Sequence, residues 1–115
     1  MSHESVSTIK RVAVFCGSSI GNDPAFASET QKLAELLTDK GIEIVYGGAS
    51  VGLMGVIAVT ALAKKGKVIG VIPEALKSKE IAHLGLTELH VLETMHERKN
   101  KMYDLSDAFI ALPGG

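Results

Sequence analysis

The feature that most constrains this fold is an alternation of short apolar runs with longer segments of helical spacing. The runs are Val12-Ala13-Val14-Phe15-Cys16, Ile42-Glu43-Ile44-Val45-Tyr46, Val68-Ile69-Gly70-Val71-Ile72, Leu89-His90-Val91-Leu92 and Ala108 to Leu112. Runs this short and this apolar suit strands buried on both faces of a parallel sheet. Three of them end in small, flexible residues: Gly17-Ser18-Ser19, Gly47-Gly48 and Pro113-Gly114-Gly115. The third run is stopped by Pro73.

Between the runs, three helices are expected. Asp23-Pro24 reads as an N-cap followed by proline at the first helical position. That helix would turn Phe26, Leu33, Leu36 and Leu37 to the core and stop at Gly41 in a left-handed cap. A second runs from about Gly52 to Lys65, closed by Gly66. A third, from Met95 to about Ser106, opens on Thr94-Met95-His96-Glu97, the pattern of a capping box. Residues 74–86 have a mixed pattern and receive no assignment. Strand and helix alternate throughout, so the fold class is α/β, a Rossmann-like parallel sheet with flanking helices. Residues 1–10 are expected to be a disordered tail, and 11–115 the domain.

One stretch tests that reading. Residues 44–63 carry no charge over twenty positions, long enough to cross a bilayer. Gly47, Gly48, Gly52 and Gly55 interrupt it and its start is β-branched, so strand, glycine loop and buried helix is the better description. No membrane span or signal peptide is expected. With 115 residues, 46% hydrophobic and 22% charged, the chain supports one globular domain. A net charge of −1 without basic blocks supplies no field for nucleic acid or an anionic membrane. The single cysteine, Cys16, fits a reducing cytoplasm.

Ligands of open α/β sheets sit at the carboxyl ends of strands. Any one of the three glycine-rich strand ends reads as an ordinary tight turn. Three in one sheet point to an anion site, phosphate above all, because glycine lets backbone amides approach closely. Gly47-Gly48 with Gly52 and Gly55 matches neither a dinucleotide fingerprint nor a P-loop, which disfavours a nicotinamide enzyme and a P-loop NTPase. Arg98 and Lys99 lie in the first turns of a helix, where cations oppose the dipole unless a ligand offsets them. An arginine there can fork onto phosphate or ribose oxygens, and on physics alone a solvated charged face is an equal reading. His3, His83, His90 and His96 lack metal-ligand spacing, so no metal is assigned. Cys16 reads as a buried structural thiol before a nucleophile, and Met54, Met95 and Met102 as core or pocket lining.

These residues also carry a resemblance. "CGSS" at 16–19, "YGGASVGLMG" at 46–55, "GVIPEAL" at 70–76, "MHERK" at 95–99 and "DAFIALPGG" at 107–115 resemble the LOG (Lonely Guy) family over the chain after Lys10. The family comprises cytokinin riboside 5′-monophosphate phosphoribohydrolases, often labelled as lysine decarboxylases. The resemblance implies a Rossmann-like fold, a homodimer in the full-length form, and cofactor-free, metal-free hydrolysis. The substrate would be a nucleoside 5′-monophosphate, AMP or its N6-prenyl type, cleaved to free base and ribose 5-phosphate.

By matched motif, Arg98 would be catalytic and Lys99 and Met95 would contact the ligand. Glu80 would be a nucleotide-contacting glutamate, and Ser18, Ser19, Gly47 and Gly48 would line the site. Gly114 and Gly115 would begin the phosphate loop of the family pattern P-G-G-x-G-T-x-x-E, whose glutamate works with the arginine. The chain ends at Gly115, inside that pattern, so the C-terminal part is expected to be missing and the 115 residues alone to be inactive. A non-catalytic nucleotide-binding module of the same fold is the alternative.

Overall fold

The computed structural model describes residues 9–16, 24–77, 82–83 and 85–112. Five strands, β1 (Arg11–Phe15), β2 (Glu43–Tyr46), β3 (Val68–Pro73), β4 (Glu88–Leu92) and β5 (Ala108–Ala111), form one parallel sheet in the order β4-β3-β2-β1-β5. Three helices, α1 (Pro24–Asp39), α2 (Gly52–Ala63) and α3 (Met95–Leu105), alternate with them, and a 3-10 turn spans Glu74–Leu76. The α/β, Rossmann-like reading holds. The chain steps outward from β1 to β4 and then returns to the far side of β1, so the topology switches direction between β1 and β5.

The pleat sorts the strand side chains into two cores. Val12, Val14, Ile44, Tyr46 and Val68 join Ala34 and Leu37 of α1 and Met54, Ile57, Ala58 and Ala61 of α2. Their neighbours Ala13, Val45, Ile69 and Val71 face the other way and pack on Met102 of α3. This period of two, with both sets apolar, explains why the three inner runs lack polar alternation. The outer strands depart from that expectation. Val91 in β4 is 41% exposed and Phe109 in β5 is 48% exposed, because edge strands are covered less completely.

Helix α1 differs from expectation at one residue. Thr30, Ala34 and Leu37 are buried, whereas Leu36 is 52% exposed. The buried face follows positions 30, 33, 34 and 37, the three-and-four spacing of one helical stripe. Residue 36 lies off that stripe next to Leu37. At the end of α1, Ile42 N–H donates to the Leu37 carbonyl at 3.0 Å and Gly41 N–H to that of Thr38 at 2.9 Å. With Gly41 at φ +76°, this is a Schellman cap, as the glycine implied.

The close of α2 is built differently. The same bond pair runs from Gly66 N–H to the Ala61 carbonyl and from Lys65 N–H to that of Leu62, at 2.8 and 2.9 Å. The left-handed residue is therefore Lys65, at φ 63°, and Gly66 is one place beyond it. Gly66 serves proximity, since a Cβ there would stand 2.7 Å from Cγ2 of Thr38. Helix α3 opens with the capping box in full: Glu97 N–H donates to Thr94 Oγ1 at 3.1 Å, and Thr94 N–H donates to Glu97 Oε1 at 3.2 Å. The Asp23 cap lies outside the described residues. Among those residues, no helix is long and apolar enough to cross a membrane.

Candidate functional site

At the carboxyl ends of β1 and β2, beside the switch between β1 and β5, lies a cavity of about 350 Å³. Val14, Phe15 and Cys16 supply its β1 wall and Gly47 its β2 wall. Met54 of α2 and Met95, Arg98, Lys99 and Met102 of α3 complete it. The position is the one that α/β topology assigns to ligands.

Arg98 organises this cavity. Its Nε donates to the Val71 carbonyl at 3.0 Å and its Nη2 to the Gly47 carbonyl at 2.5 Å. Its Nη1 lies 3.7 Å from Met95 Sδ, and Nη2 lies 3.9 Å from Met54 Sδ. The guanidinium thus leaves the amino end of α3 and settles on a carbonyl of β3 and on that of the residue just past β2. That changes the expected electrostatics: carbonyl oxygens supply negative partial charge that offsets a cation placed against the helix dipole. Two bonds, one to β3 and one to the residue just past β2, also fix the plane of the group.

Gly47 makes this seat possible. A Cβ there would fall 2.5 Å from Arg98 Nη2 and 2.6 Å from Met54 Sδ. Gly48 does different work. It sits at φ +81°, and its added Cβ would meet Ile72, Leu89 and the Val71 nitrogen, each at 3.2 Å. Gly48 is not among the residues that line the cavity; it carries the turn that follows β2. The Tyr46 hydroxyl, fully buried, donates to the Ala49 carbonyl at 2.7 Å and pins the same turn. His83 N–H donates to the Gly48 carbonyl at 3.0 Å and holds it from the other side.

The structure therefore brings Gly47, Met95, Arg98 and Lys99 together, and Gly48 is not among the residues that line the cavity. Ser18, Ser19, Glu80, Gly114 and Gly115 lie outside the described residues. The sequence reading placed neither Val14 nor Phe15 at the site, and gave Cys16 and Met102 no definite place there. Their signal was available in part, since Phe15 and Cys16 end a strand next to a glycine break. The seat of Arg98 had no signal, because backbone carbonyls belong to every residue.

Cys16 is not activated. Burial pushes its thiol up from 9.0 to about 11, and the nearby charge of Arg98 only partly opposes this. A neutral thiol is a poor nucleophile, so Cys16 contributes packing to the wall. Burial likewise raises the Tyr46 hydroxyl, more than the Arg98 charge lowers it. No three His, Cys, Asp or Glu residues cluster as metal ligands among the described residues.

A family model described as "Possible lysine decarboxylase" matches residues 54–115, which include α3 and its arginine. The chain is 51% identical over 105 residues to the probable cytokinin riboside 5′-monophosphate phosphoribohydrolase LOGL1 of Oryza sativa subsp. japonica. It is 49% identical over 109 residues to the cytokinin riboside 5′-monophosphate phosphoribohydrolase of Rhodococcoides fascians. The chain belongs to the LOG family. These alignments cover 91% and 94% of the chain but 47% and 55% of the two relatives, so it spans about half the length of the curated relatives it matches.

Solved structures share the LOG-family fold at low identity. The molybdenum cofactor binding protein of Rippkaea orientalis superposes with a TM-score of 0.76 at 22% identity, over 95% of this chain and 65% of that one. The molybdenum cofactor carrier protein of Chlamydomonas reinhardtii gives 0.76 at 19%, over 93% and 64%. At such identities the likeness concerns the fold alone.

Proposed function

We propose that this LOG-family protein, in its full length, hydrolyses the N-glycosidic bond of adenosine 5′-monophosphates, N6-modified ones among them. The products are the free base and ribose 5-phosphate. The observation that carries this reading is the Arg98 guanidinium, fixed by the Val71 and Gly47 carbonyls on the wall of a cavity at the strand ends. The names of the relatives supply the reaction class.

The chemistry suits such a site. As the bond to the base lengthens, positive charge grows on the ribose and is stabilised by a carboxylate. Water then adds at the anomeric carbon, and the base leaves with a proton. A fixed arginine holds the phosphate or ribose oxygens while that charge develops. Lys99, on the same wall, adds a second cation for the phosphate. The glutamate of the family pattern P-G-G-x-G-T-x-x-E is not among residues 1–115. Assays therefore call for a chain that carries the whole pattern.

The test is release of free base from AMP and from an N6-prenylated AMP, followed by chromatography. Arg98→Ala is expected to lower kcat/KM by about 10²-fold or more. Failure of the unmodified protein to release base, or full turnover by Arg98→Ala, would overturn the proposal. AMP binding by calorimetry without any base release would favour the non-catalytic nucleotide-binding module.

A homodimer and a cytoplasmic setting belong to the same proposal. Support for a dimer comes from α2, twelve residues without a charge, on which Val59 is 62% exposed. A helix apolar on all sides is normally covered. Sedimentation is expected to show a dimer that Val59→Glu weakens; an unchanged sedimentation profile would remove α2 from the interface. The single cysteine, Cys16, supports a reducing compartment.

A further inference from the structure

Four of the side chains around the cavity contain sulfur: Cys16, Met54, Met95 and Met102. They differ sharply in exposure. Met54 and Met102 are each 3% exposed, whereas Met95 is 57% exposed. Met95 is also the methionine whose sulfur lies 3.7 Å from Nη1 of Arg98. An oxidant arriving from solvent reaches the Met95 sulfur first, and it reaches it beside the cation that organises the site.

We propose that Met95 is a reversible oxidation site whose sulfoxide ties up the Arg98 guanidinium and weakens anion binding in the cavity. The reactant is hydrogen peroxide. The thioether sulfur donates an electron pair, an S–O bond forms and the O–O bond breaks. One peroxide oxygen stays on sulfur, and the other leaves as water with both hydrogens. Sulfur is oxidised and the peroxide reduced. A thiol-dependent methionine sulfoxide reductase reverses the change.

The consequence follows from the contact. A thioether is a weak acceptor, and a sulfoxide oxygen is a strong one. The added oxygen stands one bond from a sulfur already 3.7 Å from Nη1, within hydrogen-bonding reach of the guanidinium. Nε and Nη2 are held by the Val71 and Gly47 carbonyls, so the group cannot turn away without losing both. The oxidised side chain then competes with a phosphate for the same cation. Cys16 is a poorer target, since its half-buried thiol stays protonated at neutral pH.

The coupling to binding rests on the proposed nucleotide site; the site of oxidation does not. In the experiment, the native protein is treated with dilute hydrogen peroxide, its peptides are mapped by mass spectrometry, and AMP affinity is measured before and after. Met95 is expected to gain oxygen about tenfold faster than Met54 or Met102, given their burial. AMP affinity is expected to fall by about tenfold, the effect of competing away a charge-assisted bond, and to return after reductase treatment. For Met95→Leu, affinity is expected to be the same before and after peroxide, whatever its starting level.

Equal oxidation of the three methionines would overturn the proposal, as would unchanged affinity in the oxidised protein. An equal loss in Met95→Leu would assign the effect to another oxidisable residue, such as Cys16 or Met54, and overturn it too. If the untreated protein binds no AMP, the nucleotide reading fails. The oxidation site is then still judged by peptide mapping and by the Arg98 Nε–H resonance, which is expected to shift on oxidation in the parent and not in Met95→Leu.

Discussion

Arg98 is held by atoms that no sequence pattern advertises. Motif resemblance picks out the residue, and helix electrostatics makes it conspicuous as a cation at an amino end. Neither says that its guanidinium rests on the carbonyls of Gly47 and Val71, 51 and 27 residues away. The same contact revises the meaning of Gly47. As a glycine at a strand end, it suggested amides approaching a phosphate. In the fold it offers its carbonyl to Arg98, and the missing side chain leaves room for the guanidinium. Gly47→Ala is therefore expected to displace Arg98 and Met54 together, since the new Cβ would lie 2.5 and 2.6 Å from their nearest atoms. The expected costs are about 1–3 kcal/mol of stability, as for other overpacked sites, and a loss of turnover approaching that of Arg98→Ala. Urea denaturation and base-release assays check the two parts. A fully active, fully stable Gly47→Ala protein would show that the seat is dispensable.

Element boundaries were legible wherever the capping chemistry is local to the chain. The Thr94 and Glu97 pair and the Gly41 stop are local chemistry, and both hold. Two features were not local. Leu36 looked like a core residue by composition, but the stripe of α1 is fixed by which face meets the sheet, and that face runs through Thr30, Ala34 and Leu37. Gly66 read as the residue that closes α2, yet Lys65 takes the left-handed conformation and Gly66 is needed to pass Thr38. Adjacent substitutions should therefore act in opposite directions. Lys65→Gly removes a left-handed side chain, which costs about 1–2 kcal/mol, and adds unfolded-state entropy of about 0.4–1 kcal/mol. A net gain of about 0–1.6 kcal/mol follows. Gly66→Ala drives a methyl into Thr38 and is expected to destabilise by about 1–2 kcal/mol. Thermal and urea unfolding of both variants decides it, and the same sign for both would refute the assignment of roles.

At the scale of the whole molecule, alternating runs announced a parallel sheet but not the order β4-β3-β2-β1-β5. Periodicity describes one segment at a time, while strand order depends on which segments pair. That order is what buries the ends of β1 and β2 together and places Cys16 and Tyr46 in a low-dielectric layer around Arg98. The burial has a measurable consequence for the chain as a cooperative unit. Cys16 titrates at about 11 in the fold against 9.0 ordinarily, and Tyr46 is raised above its ordinary 10.0, burial being the largest cause for both. A group raised in this way contributes stability that is fully present below its unfolded pKa and is lost as pH climbs towards the folded one. Between those values the unfolded chain has released a proton that the folded chain retains, so the slope of stability with pH is negative. It amounts to about 1.4 kcal/mol per pH unit for each group at most. Stability is thus expected to begin falling near pH 9.0, where the unfolded thiol ionises, and to fall faster above 10.0, where the phenol of Tyr46 joins it. Cys16→Ala removes the first part, together with the smaller share of the Tyr46 rise that comes from the neighbouring Cys16, so its urea midpoint should stay level from pH 8 to about 10 and decline afterwards. Superimposable pH profiles for the two proteins would mean that the thiol is as free to ionise in the fold as in the unfolded chain, and that the wall it belongs to is open to water.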